Sequence, residues 1–131
     1  MERLVYRSRA VWPAPGVALD GILTASVANN ALRRITGALG FSGLTYVQLL
    51  EGPAESIEAL LRQLHADPRH ADLTVLVRAE TDGRLVPGWT MARIDLAEAS
   101  PKVGRLLETG DGLALAVLLA NLAHQGETGV I

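Results

Sequence analysis

Three polar side chains stand where the surrounding pattern calls for apolar ones: Tyr6, Asn30 and Gln48. Tyr6 alternates with Leu4 and Ser8 along a run, Arg3 to Ser8, that reads as a β-strand, so the three share one face. Gln48 shares a face with Tyr46 and Leu50 on a second strand-like run. Asn30 falls, with Ser26, inside the apolar stripe that Leu19, Ile22 and Leu23 set on a helix, which puts an amide on a face that should be buried. A phenol and two amides brought to one buried layer can satisfy the carbonyls and ring nitrogens of a flat heterocycle, with the Tyr6 hydroxyl as the partner of Gln48. They can equally form a hydrogen-bonded core network with no ligand. Periodicity does not separate these two readings.

Several other chemistries are excluded by composition. The chain has no cysteine, which removes disulfides, thiolate metal sites, thiol nucleophiles and cysteinyl adducts to a cofactor. Of the three histidines, His65, His70 and His124, the first two lie five apart with Pro68 between them. That is a poor spacing for two ligands on one helix face, and no metal site is expected. The net charge is −2 and the arginines are dispersed, so direct nucleic-acid binding is not expected. No apolar run approaches the roughly 20 residues a membrane span needs, and the N-terminus reads as a strand rather than a signal peptide, so a cytoplasmic protein is expected. At 131 residues the chain suits one core.

The elements that must position Tyr6, Asn30 and Gln48 follow from pattern. The strand over residues 3–8 leads through Trp12-Pro-Ala-Pro-Gly to an amphipathic helix over 18–32. Strands over 35–41 and 45–51 join at a short turn around Ser42-Gly43. Glu51-Gly-Pro-Ala-Glu-Ser opens a second helix whose apolar stripe is Ile57, Leu60, Leu61 and Leu64, and Asp67-Pro68 closes it. A strand over 73–79, a turn at Thr81-Asp-Gly-Arg and a fifth strand over about 88–96 complete the order βαββαββ. This order predicts an α+β, ferredoxin-like sandwich with a five-stranded mixed sheet and two helices on one face. Residues 1–97 form that unit, and residues 98–131 a C-terminal helical extension, with a short helix over 103–108 and a longer one from Gly112 to about Ala123. The longer helix is apolar on almost every side, so it must be covered by the sheet's open face, by another chain, or by both. A homo-oligomer is the expectation.

Five blocks then resemble one known family. They are Leu4-Val5-Tyr6-Arg7-Ser8-Arg9-Ala10; Ser26-Val-Ala-Asn29-Asn30 with Ile35-Thr36-Gly37; Gln48-Leu-Leu-Glu51-Gly52; Asp67-Pro-Arg69-His70; and Gly88-Trp89-Thr90-Met91. Taken in order over roughly residues 3–96, they are similar to the BLUF domains, flavin-based sensors of blue light, although each block alone is weak. The resemblance implies FAD held non-covalently between the two helices, with its ring against the sheet. Asn30 and Asn29 would lie at the flavin's pyrimidine edge, Asp67 and Arg69 on the far side of that edge, and Gln48 would bridge flavin and Tyr6. In the mechanism so implied, Tyr6 gives up an electron and a proton after excitation. The Gln48 amide rotates or tautomerises, and the oxidised flavin is left with a slightly red-shifted spectrum. Trp89 and Met91 on the fifth strand would receive the change.

Some residues depart from that pattern. Arg34 stands just before Ile-Thr-Gly where a glycine is common, a strained choice if the helix exit needs a left-handed residue. Tyr46-Val47 replaces a bulkier aromatic pattern, and Val86 stands where phenylalanine often occurs. His70 reads as a turn residue and Arg69, without the resemblance, as a solvated charge. No enzyme is expected on this chain, so output would pass to a separate protein partner or through self-assembly. Two readings from other classes stand beside this one: a small flavin oxidoreductase, against which no dinucleotide fingerprint is found, and a ferredoxin-like binding module without a cofactor.

Overall fold

The computed structural model describes residues 1–10, 33–42, 45–66, 70–86, 92–95, 105–106 and 110–125. Its elements are β1 (Glu2–Ala10), β2 (Thr36–Ser42), β3 (Thr45–Gly52), α1 (Ala54–Ala66), β4 (His70–Glu80), β5 (Ala92–Asp95) and α2 (Gly112–Gln125). The strands form one sheet in the order β4-β1-β3-β2-β5. The pairs among β4, β1, β3 and β2 are antiparallel and β5 is added parallel to β2, so the sheet is mixed as expected. The expected helix over 18–32 lies outside the described residues; Arg33, the next residue, is helical.

Alternation along β1 and β3 sorts the core into two layers. Leu4, Tyr6, Tyr46 and Leu50 point to one face, where Ile57 and Leu60 of α1 cover them together with Ile35 and Leu39. Val5, Val47 and Leu49 point to the other, against Leu115, Ala116, Leu119, Ala120 and Ala123 of α2. Each fully buried leucine here is worth roughly 1.5–3 kcal/mol of transfer from water. The sheet's open face is thus what covers the apolar C-terminal helix, leaving Leu113 and Val117 outward at 58% and 44% exposure.

Local chemistry sets the helix starts. The Pro53 carbonyl accepts the Ile57 amide at 3.0 Å, consistent with a chain that turns into α1 directly after Gly52-Pro53. For α2 the cap is Asp111, whose Oδ1 accepts the Ala114 amide at 3.1 Å while its carbonyl accepts that of Leu115 at 3.0 Å, an N-cap of the usual kind. Gly112 lies so close to β4 that a Cβ there would sit 2.9 Å from the Leu76 carbonyl carbon, so the helix can approach the strand only without a side chain.

The start of β4 differs from expectation. β4 begins at His70 rather than residue 73 and pairs as far as Ala10, so His70 is the first residue of a strand and not a turn residue. The register shifts between Val5 and Tyr6 and again between Arg7 and Arg9, and Asp72 within the second shift has φ 55°. These bulges admit extra residues into β4, which a simple alternation pattern does not anticipate. The described part of the fifth strand is only Ala92–Asp95, with residues 87–91 outside the described residues.

Arg34 adopts φ 60°, the left-handed conformation foreseen for the helix exit. A non-glycine residue there costs about 1–2 kcal/mol, partly offset by glycine's greater freedom in the unfolded chain. The Arg34 side chain is exposed, and its carbonyl, which accepts from Arg84 Nη2, is kept in glycine. Arg34→Gly is therefore expected to raise stability by up to about 1 kcal/mol, read as a higher urea midpoint. A lower midpoint would show that the side chain contributes more than the strain costs.

On the outer side of α1, Arg78 of β4 bonds Glu58 at 2.6 Å and Glu2 at 3.0 Å. The hydrogen bond from Arg78, and then its charge, hold the Glu58 carboxyl below its ordinary range. A depressed carboxyl contributes stability above its unfolded pKa and loses it as pH falls through the folded one. The tie is therefore intact at neutral pH and released on acidification below the ordinary carboxylate range. Arg78→Met should shallow the acid limb of a pH–stability curve slightly, since both side chains are largely solvated. An unchanged limb would remove Glu58 from the list of contributors.

Candidate functional site

Tyr6 and Gln48 are direct cross-strand partners on β1 and β3. Their side chains meet on the α1 face, the Tyr6 hydroxyl donating to Gln48 Oε1. Both are buried, at 1% and 2% exposure. The pair sits between Leu4–Leu50 on one side and Ser8–Tyr46 on the other, all registered across the same two strands. Leu39 of β2 pairs with Gln48 from the opposite side. A phenol and an amide thus share a hydrogen bond in the middle of the sheet, at the step from an apolar layer to one containing the buried Ser8.

This arrangement meets what a flavin would require of the sheet. A buried amide is costly unless its donors and acceptor are used. With Oε1 engaged by Tyr6, turning the amide would exchange an acceptor for a donor without changing its shape. That is a two-state element, and Tyr6 is an oxidisable ring bonded directly to it. Tyr46, the second such ring, is also buried on this face but one registered row away, opposite Ser8. Asn29, Asn30, Asp67, Arg69, Trp89 and Met91 lie outside the described residues. Among the described residues no cluster of His, Asp and Glu could hold a metal ion.

A second polar centre, which sequence reasoning did not single out, lies on the opposite face. Glu51 of β3 is fully buried. Its Oε2 accepts from Arg3 Nε at 2.8 Å, and its Oε1 accepts the backbone amides of Leu85 and Val86 at 2.7 and 3.1 Å. Arg84 Nη1 donates to the Glu51 carbonyl at 2.7 Å and to Thr36 Oγ1 at 2.8 Å, and its Nη2 to the Arg34 carbonyl at 2.8 Å. Arg3 Nη2 reaches the Gly83 carbonyl at 3.2 Å. From the last turn of α2, His124 Nε2 donates to the Leu85 carbonyl at 2.9 Å. Residues 83–86, a strap leaving β4 on its way to β5, are thereby bonded to β1, β2, β3 and α2.

Comparison with known proteins gives one consistent answer. The family model described as sensors of blue-light using FAD, BLUF, matches residues 1–92. The chain is 35% identical over 92 residues to the photoactivated adenylate cyclase subunit beta of Euglena gracilis, covering 70% of this chain and 11% of that protein. It is 32% identical over 77 residues to the blue light- and temperature-regulated antirepressor BluF of Escherichia coli (strain K12), covering 59% of this chain and 19% of that one. It therefore spans only a small part of these curated relatives. Among solved structures, the dark state of BlrB, a BLUF protein, superposes with a TM-score of 0.82 at 30% identity, covering 95% of this chain and 96% of that one.

Proposed function

The chain belongs to the BLUF family of blue-light sensors using FAD, and from that premise we propose that it is a cytoplasmic photoreceptor in which Tyr6 and Gln48 form the light-sensitive switch. The observation that carries this reading is the buried hydrogen bond from the Tyr6 hydroxyl to Gln48 Oε1, because it joins an oxidisable ring to a reversible amide. The sensor unit is residues 1–97, and residues 98–131 are its helical extension.

FAD, when bound, supplies a photo-oxidant. Gln48 would offer it an amide, and Asn29, Asn30, Asp67 and Arg69 would hold it. A tyrosine ring that gives up an electron becomes a far stronger acid, and the acceptor already in place for the proton at Tyr6 Oη is Gln48 Oε1. A proton delivered there weakens the barrier to turning or tautomerising the amide, and return of the electron and proton to Tyr6 leaves Gln48 in its second state. The absence of cysteine leaves hydrogen-bond rearrangement, not a thiol adduct, as the stored change. Trp89 and Met91 receive it. Output then passes to a protein partner or through assembly of copies at the C-terminal helix, where Leu113 and Val117 stay outward.

The test is the absorption spectrum of the FAD-loaded chain in the dark and after a blue flash. The expected result is a flavin band that shifts to the red and recovers in the dark. Bound flavin that turns over NADH and shows no shift would replace the sensor with an oxidoreductase, and failure to bind flavin would leave a binding module.

A further inference from the structure

We propose that Glu51 and His124 are positioning residues that tie the strand bearing the switch to the end of α2, so that a change at Gln48 is delivered to the last turn of that helix. The inference rests on the switching role given to Gln48 above. Gln48 and Glu51 lie three residues apart on β3 and on opposite faces of the sheet. A displacement of β3 that follows the Gln48 amide on the α1 face therefore reaches the Glu51 carboxylate on the α2 face, because both side chains stand on one short stretch of the same backbone.

The path from there is short and directional. Glu51 Oε1 holds the Leu85 amide at 2.7 Å, and His124 of α2 donates to the Leu85 carbonyl at 2.9 Å. One residue is thus bonded at its nitrogen by β3 and at its oxygen by α2. The remaining contacts between α2 and the sheet are dominated by apolar packing of Leu115, Leu119 and Ala123 against Val5, Val47 and Leu49, which does not fix a direction. Hydrogen bonds do, since they weaken steeply with angle. The strap has little freedom to absorb the movement, because Arg84 fastens it to the Glu51, Thr36 and Arg34 oxygens as well. His124 is exposed on α2, so removing it breaks the tie without opening the core.

The experiment measures amide hydrogen exchange of residues 118–125 in the FAD-loaded chain, in the dark and under steady blue light, beside the flavin absorption shift. The wild type is expected to show a light-minus-dark difference of about fivefold in exchange rate, the change in local opening that one net hydrogen bond controls. His124→Ala should keep the red shift and lose that difference. His124→Gln, whose amide can still donate to the Leu85 carbonyl, should restore it. A His124→Ala protein with the wild-type difference overturns the proposal, as does a wild type that shifts to the red with no difference in residues 118–125. Absence of the red shift in the wild type would instead remove the role of Gln48 itself.

Discussion

Gln48→Leu is expected to abolish the light-induced red shift while leaving flavin bound. Leucine fills nearly the same volume on the α1 face, beside Leu39 and Leu50, so packing is conserved. What disappears is the amide that can exchange a donor for an acceptor by turning. Retention of flavin follows from the same reading, in which Asn29, Asn30, Asp67 and Arg69 hold the other edge. Tyr6 loses the Gln48 acceptor, at a cost of about 1 kcal/mol, too little to unfold a domain of ordinary stability.

Tyr6→Phe separates the two halves of the switch. It keeps the Gln48 amide and removes both the oxidisable phenol and its proton, so the red shift is expected to be lost there too, with recovery kinetics no longer measurable. Absorption spectra of both variants, taken dark and after the flash, decide the matter. A red shift that survives in Gln48→Leu would mean that the spectral change does not pass through this amide. A red shift that survives only in Tyr6→Phe would keep the amide and assign electron donation to another ring, with the buried Tyr46 the first to examine.

The difference between what local pattern reveals and what it hides is clear at these two centres. Alternation alone puts Tyr6 and Gln48 on one face once two adjacent strands are recognised, while their direct pairing is a matter of register; the ferredoxin-like order β4-β1-β3-β2 suits the βαββαβ succession. The left-handed conformation at Arg34 was signalled by the resemblance, which has a glycine at the position where this chain carries arginine. Glu51 was different. An acidic residue just before Gly-Pro and a helix reads as an ordinary companion of a helix start. Its carboxylate is engaged instead by Arg3 and by the amides of residues 85 and 86, more than thirty positions away, and no local period reports contacts of that range. The same distance hides His124, whose sequence neighbourhood is simply an apolar helix end. The longer β4 escaped for a separate reason, since its bulges break the alternation that would have announced it.

Glu51→Ala should be among the most destabilising single substitutions in the chain, by about 3–5 kcal/mol, because it strips the partner from a buried ion pair and two backbone amides together. Arg3 can turn partly to water, its side chain being 17% exposed. The amides of Leu85 and Val86 have no such escape in place, Val86 being fully buried. At roughly 3–5 °C per kcal/mol for a domain of this size, the melting temperature falls by about 10–20 °C. Glu51→Gln keeps an oxygen for both amides but turns a donor toward Arg3 Nε, which loses its acceptor and can turn only partly to water, so it should lose about 1–3 kcal/mol, less than the alanine variant. The two variants together distinguish the roles of the carboxylate. If the strap is held mainly through Oε1, the glutamine variant melts close to the wild type and the alanine variant far below it. Equal losses in both would transfer the weight to the Arg3 ion pair, and an alanine variant that melts like the wild type would show that Arg3, Arg84 and His124 hold residues 83–86 without the carboxylate.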